Sequence, residues 1–176
     1  MAVRRFTDLR AWQTCDTFKK AIYRLCDEGP LSRDADRRVQ LERAAKGPPA
    51  HVAEGFGRFN PADFARFLVM ARSSLMESQS HLLDAVDKGY IAEERRLECH
   101  ALAEAALQEV TGLMEYLQSP EALRNARRAR ERRIASRSER RTSNVNPEPE
   151  REPRTEPERE LRTEPEREPR TKNPEE

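Results

Sequence analysis

The chain has 176 residues, 37% of them charged and 36% hydrophobic, with 33 basic side chains set against 32 acidic ones. That balance excludes a chain folded compactly from end to end, and no apolar run approaches the ~18 residues of a membrane span. Three cysteines with no close pair (Cys15, Cys26 and Cys99) point to reduced thiols with a packing role, as in a cytoplasmic protein.

Charge is spread unevenly. Residues 1–119 carry 17 basic and 18 acidic side chains, residues 120–146 nine Arg and three Glu, and residues 147–176 seven basic and eleven acidic. The net charges of the three stretches are −1, +6 and −4. The expected organisation is a neutral domain over 1–119, an arginine-rich arm over 120–146 and an acidic tail over 147–176. No apolar run follows Arg4 and Arg5, so no secretory leader is expected.

The first helix is expected from Thr7 or Asp8, as cap, to Cys26, with Ala11, Cys15, Phe18, Ile22 and Leu25 forming a stripe widened by Leu9 and Trp12. Gly29-Pro30 closes it. A second helix starts between Ser32 and Asp36 and runs to about Glu54, with Val39, Leu41, Ala44, Ala45 and Val52 inward. Gly47-Pro48-Pro49 should kink or interrupt it, because each proline removes a helix hydrogen bond and crowds the preceding turn. Next comes a corner in which Gly55 and Gly57 supply a free backbone. Asn60 caps the third helix, and Pro61 sits where its missing donor is harmless. That helix runs from Pro61 to Lys88, with Phe64, Phe67, Leu68, Ala71, Leu75, Ser78, Leu82, Ala85 and Val86 on one face and Gly89 as its stop. A fourth spans about Ala92 to Gln118, with Leu102, Ala106, Val110, Leu113 and Leu117 inward, until Ser119-Pro120 ends or bends it. Four amphipathic helices with short turns describe an all-α, antiparallel four-helix bundle.

Beyond it, the arm either extends the fourth helix or forms a separate helix when bound. The tail repeats an octapeptide three times over 148–171, Glu-Pro-Glu-Arg-Glu-Pro-Arg-Thr, with Leu161 replacing one proline. That composition forbids a helix, leaves nothing to bury and predicts a disordered, charged extension.

The corner Ala53-Glu54-Gly55-Phe56-Gly57-Arg58 carries a resemblance, together with Asn60-Pro61, Phe64-x-x-Phe67-Leu68, Ala71-x-x-Ser74-x-x-Glu77 and Gly89-Tyr90. Asp8-Leu9-x-x-Trp12 and Arg43-Ala44-Ala45 join it. Over roughly residues 6–118 the chain resembles the four-helix-bundle family of 23S ribosomal RNA intervening-sequence proteins. Trp12, Arg43, Glu54, Gly55, Arg58, Phe64, Phe67 and Glu77 are the positions that match the family's structural motif. Lys46-Gly47 with the doubled proline, and His51 where the family usually has Asn, depart from it. The resemblance implies a non-enzymatic bundle that assembles into a homo-oligomer. Relatives in the wider family look like ring-shaped pentamers, and a similar bundle serves retroelement reverse transcriptases by binding RNA and protein.

No catalytic constellation is visible. Gly55-Phe56-Gly57 follows a helix, not a strand, and lacks the Lys-Ser/Thr of a phosphate loop. His51, His81 and His100 are scattered singly, with no metal-ligand spacing and no Ser-His-Asp or Cys-His arrangement, so neither metal nor cofactor is expected. Arg43 and Glu77 should meet as a register-fixing pair between the second and third helices. The candidate nucleic-acid contacts are Arg37, Arg38 and Arg66 on the bundle and Arg124, Arg127, Arg128, Arg130, Arg132 and Arg133 on the arm. The expected function is therefore a cytoplasmic, oligomeric bundle that binds structured RNA or a nucleoprotein through basic surface. A protein–protein scaffold with no nucleic-acid role is the alternative.

Overall fold

The computed structural model describes residues 3–58 and 60–143. Within them the chain forms a short 3-10 turn, Phe6–Asp8, and then helices α1 (Arg10–Cys26), α2 (Ala35–Phe56), α3 (Pro61–Asp87), α4 (Glu93–Gln118) and α5 (Pro120–Ser143). The first four pack as an antiparallel bundle, each against its neighbours in the order α1, α2, α3, α4 and back to α1. The octapeptide tail and the end of the arm, residues 144–176, lie outside the described residues.

The core follows the helical periodicity. Ala11, Cys15, Phe18, Ile22 and Leu25 of α1 are all buried, facing Leu41, Ala45 and Val52 of α2, Leu68, Leu75 and Leu82 of α3, and Ala103, Ala106 and Val110 of α4. Leu102, Leu113 and Leu117, expected inward, are half-buried flanks, while Cys99, Ala103 and Leu107 join the buried side of α4. Val39 is not inward. It is 59% exposed, since Leu41 already directs that turn of α2 to the core.

The helix starts and stops are chemically specific. Asn60 accepts a hydrogen bond from Ala62 N at 3.0 Å, with Pro61 in the first helical position. At the far end Gly89 adopts φ +66°. Tyr90 N donates to Ala85 O and Gly89 N to Val86 O, both at 2.8 Å, the paired bonds of a Schellman ending. The start of α1 differs from expectation. The Asp8 carboxylate accepts from Arg5 N at 3.2 Å inside the 3-10 turn, so Thr7-Asp8 does not cap α1, which begins after Leu9.

The two prolines do not interrupt α2, which runs unbroken through Pro48 and Pro49, both buried. The helix survives two lost donors because this segment is pressed into the bundle: a Cβ on Gly47 would lie 2.8 Å from Ser74 Oγ of α3. Nor do Gly55 and Gly57 act through backbone freedom. Neither has positive φ. Gly55 is a buried helical residue whose Cβ would sit 2.3 Å from Phe64 Cδ2 and 2.9 Å from Phe67 Cβ. It is glycine so that the start of α3 can close against the end of α2.

Candidate nucleic-acid interface

α4 ends at Ser119, which has an extended backbone (φ −68°, ψ 150°). The Ser119 hydroxyl accepts from Ala122 N at 3.2 Å and Pro120 opens the new helix, a start signal that separates α5 from α4. Ala122 is buried, and α5 touches α3 and α4. Past that first turn little of α5 is covered: Leu123 is 51% exposed and Ile134 61%. Arg124, Arg127, Arg128, Arg130 and Arg132 are all exposed. Among the described residues, Arg127 is the one of these that is paired, with Glu131 at 3.1 Å. The side chain of Arg133 lies outside the described set.

The candidate arginines of the bundle are placed otherwise. Arg37 donates to Asp84 at 2.9 Å, tying α2 to α3. Arg38 pairs with Glu42 at 3.0 Å and approaches Asp27 at 3.9 Å. Both stand near the start of α2, whereas Arg66 stands near the start of α3, where α2 ends, and pairs weakly with Asp63 at 3.8 Å. A 22-residue helix separates these ends by ~30 Å. Arg66 and α5 therefore share one end of the bundle, and Arg37 and Arg38 occupy the other with their charges already engaged.

The motif residues form a packing corner. Phe56 and Phe64 meet edge to face with centroids 6.4 Å apart. Arg58 pairs with Glu54 at 3.0 Å and lies 5.1 Å over the Phe67 ring. Trp12 packs edge to face on Phe6 at 5.4 Å. The expected Arg43–Glu77 pair does not form. Both residues are exposed, and the Glu77 carboxylate lies 3.8 Å from His81 Nε2 on its own helix. The register between α2 and α3 is carried instead by Arg37–Asp84 and by the closeness of Gly47 and Gly55 to α3.

Two features escaped the sequence reading. Asp34 caps α2 by accepting from Arg37 N at 3.1 Å, and its second oxygen accepts from the Tyr90 hydroxyl at 2.8 Å. These bonds hold the Asp34 carboxyl below its usual range and push the Tyr90 phenol upward. The signal was present in Asp34-x-x-Arg37 and Gly89-Tyr90, but the partner lies 56 residues away. The second is an exposed apolar seam along α3. Val69, Met76 and Leu83, spaced by seven, are 44–52% exposed, with Ser73 and Ser80 between them.

Other groups are chemically quiet. Burial pushes the Cys15 and Cys26 thiols up to about 12 and raises that of Cys99. His100 Nδ1 and Glu104 share the Gln79 amide at 3.1 and 2.9 Å. A cleft of about 360 Å³ between α1 and α4 is lined by Arg24, Glu28, Arg95, Glu98 and Cys99, but Arg95 is clamped by both glutamates. Among the described residues no three His, Cys, Asp or Glu side chains converge as metal donors, and no helix is long and apolar enough to cross a membrane.

Residues 7–112, the bundle without its last turns and without α5, match the family model described as 23S rRNA-intervening sequence protein. The chain belongs to this family. No curated protein matches it. The family match ends before α5, so the 23S rRNA-intervening sequence protein fold accounts for the corner and the core but not for the arginine helix.

Proposed function

We propose that this 23S rRNA-intervening sequence protein is a non-enzymatic, cytoplasmic homo-oligomer that binds structured RNA, with α5 as the contacting element. The observation that carries the reading is the charge of α5: its net charge is +6, and four exposed arginines (Arg124, Arg128, Arg130 and Arg132) have no carboxylate partner among the described residues. Unpaired guanidinium groups on a rigid rod suit phosphate oxygens, and binding releases counterions. Arg66, at the same end of the bundle, would add to the contact, whereas Arg37 and Arg38 are bound to Asp84 and Glu42.

Self-assembly rests on α3. Val69, Ser73, Met76, Ser80 and Leu83 follow alternating steps of four and three, the spacing of a helix–helix seam, and no other helix among the described residues covers them. A second copy would cover this face, and several copies would present several α5 helices to one RNA, gaining avidity. The pentameric form of the wider family is the expected stoichiometry.

Titration of the full chain against a labelled RNA hairpin at several salt concentrations tests the reading. Neutralising about five phosphates should cost ~10²–10³-fold in affinity between ~50 and 200 mM salt. Replacing Arg124, Arg128, Arg130 and Arg132 together by Gln should flatten that slope. Absence of binding at low salt would overturn the RNA reading and leave a protein–protein scaffold. Met76→Glu should convert an assembly into 20.4 kDa monomers in sedimentation; a wild-type chain that is already monomeric would overturn the assembly.

A further inference from the structure

Apart from α5, the described chain is close to neutral. Some of its arginines face carboxylates, Arg10 with Glu109 at 2.7 Å, Arg58 with Glu54, Arg95 with Glu28, and Arg96 with Glu93 at 2.5 Å. Arg24, Arg33, Arg43 and Arg72 are exposed and form no ion pair among the described residues. The net positive charge is concentrated on α5, at +6. The largest net negative charge in the sequence is the stretch 147–176, at −4, which begins three residues after α5 ends at Ser143. Each octapeptide supplies three carboxylates and two guanidinium groups, so the negative charge is distributed along the repeats rather than gathered at one point.

From this complementarity we infer that the octapeptide tail acts as a built-in competitor, folding back along α5 and occupying the arginines that RNA would use. The inference rests on α5 being the RNA-binding element. Length permits it. Thirty residues of proline-rich chain reach ~90 Å at ~3.1 Å per residue, whereas the 24 residues of α5 span ~36 Å. The tail can therefore turn back and run the whole helix more than once. A tethered segment acts at an effective concentration in the ~mM range, enough to saturate a weak electrostatic site, while many competing phosphates on one RNA can still displace it. The alternating Arg residues of the repeat keep the contact weak by repelling part of the helix charge. The result is a threshold: single phosphates are screened out, and only a densely charged, structured RNA gains access.

The contact can be read without RNA. Cys15, Cys26 and Cys99 are buried with raised thiol pKa values, so a spin label on a Thr163→Cys chain goes selectively to the tail. In ¹⁵N spectra of the full chain, the label should broaden the backbone amides of Arg124 to Arg132 at low salt, and the effect should vanish at high salt. Unaffected α5 amides would overturn the inference, whatever RNA does. The second measurement is hairpin affinity of a full-length chain in which every Glu and Arg of the three repeats is replaced by Gln. Binding should tighten about 3- to 10-fold at low salt, converging with wild type as salt rises. Label contact with unchanged affinity would overturn competition. Label contact with no RNA binding by either chain would overturn both competition and the RNA reading, leaving only an intramolecular clasp.

Discussion

The bundle and α5 use the same residue types in opposite ways. In α1 to α4, arginines and carboxylates are interleaved and mostly answer one another, as in Arg37–Asp84 and Arg95–Glu28, and the folding energy lies in buried Phe18, Ile22, Leu68 and Leu75. In α5, one buried alanine secures the first turn, and beyond it no side chain described is buried. Surface pairs contribute only ~0–1 kcal/mol each, so the bundle's ion pairs tune register and solubility rather than hold it together. The same arithmetic makes α5 inexpensive to alter: its arginines can change without touching the core. One region is specified by packing and the other by charge.

Truncation of apolar side chains should separate the two regions most sharply. Leu75 is fully buried at the centre of α3, and Leu75→Ala should destabilise the fold by ~2–5 kcal/mol, the cost of lost transfer energy plus a residual cavity. The chemically identical Leu123→Ala, half in solvent on α5, should cost under ~0.5 kcal/mol. Denaturant midpoints of the two variants give the comparison directly. Similar losses would mean that α5 is packed against a partner, in this chain or another copy.

Two glycines sharpen the contrast within the bundle itself. Gly55 would place a Cβ 2.3 Å from the Phe64 ring, so Gly55→Ala must push α2 and α3 apart at the corner and should cost ~1–3 kcal/mol. Gly112, exposed on α4, has nothing within 4 Å of a built Cβ. There Gly112→Ala removes a helix-interior penalty and should stabilise by ~0.5–1 kcal/mol. Thermal melting of the pair reads opposite signs for the same chemical change. If both stabilise, the corner is looser than the Gly55–Phe64 contact requires.

These glycines also show what the sequence could convey. The helices were legible because leucine, alanine and phenylalanine repeat at steps of three and four, and the Asn60-Pro61 and Gly89 signals act within a few residues of their effect. Gly55 was legible as important but was assigned the wrong reason. A glycine between two helices suggests a turn, and only the position of Phe64 reveals a contact. Pro48-Pro49 failed as an interruption because local propensity was overridden by packing against α3. The Arg43–Glu77 pair failed because spacing along two helices fixes their level but not the rotation of each. On the candidate interface, composition singled out the arginine-rich arm, and the structure shows Arg124, Arg127, Arg128, Arg130 and Arg132 exposed. It could not show that Arg37 was already committed to Asp84, which arrives from α3, whereas the Arg38–Glu42 pair lies within α2 at a spacing of four.

The smallest expected effect concerns the bundle end farthest from α5, where charge does hold structure. Asp34 caps α2 and receives the Tyr90 hydroxyl, so one carboxylate joins the start of α2 to the α3–α4 turn. The bonds from Arg37 N and Tyr90 depress its pKa in the folded state. A depressed carboxyl stabilises the fold above its unfolded value of ~3.9, and the contribution fades as pH falls through the lower folded value. Asp34→Ala should therefore lower the melting temperature at pH 7, and lower it progressively less as pH falls below the unfolded carboxyl value of ~3.9. Asp34→Asn, which keeps the acceptor but not the charge, should fall between wild type and Asp34→Ala at pH 7. A gap between wild type and Asp34→Ala that stays constant across this range would assign the stabilisation to shape and hydrogen bonding alone. That result would leave the Asp34 cap resting on geometry rather than on its charge.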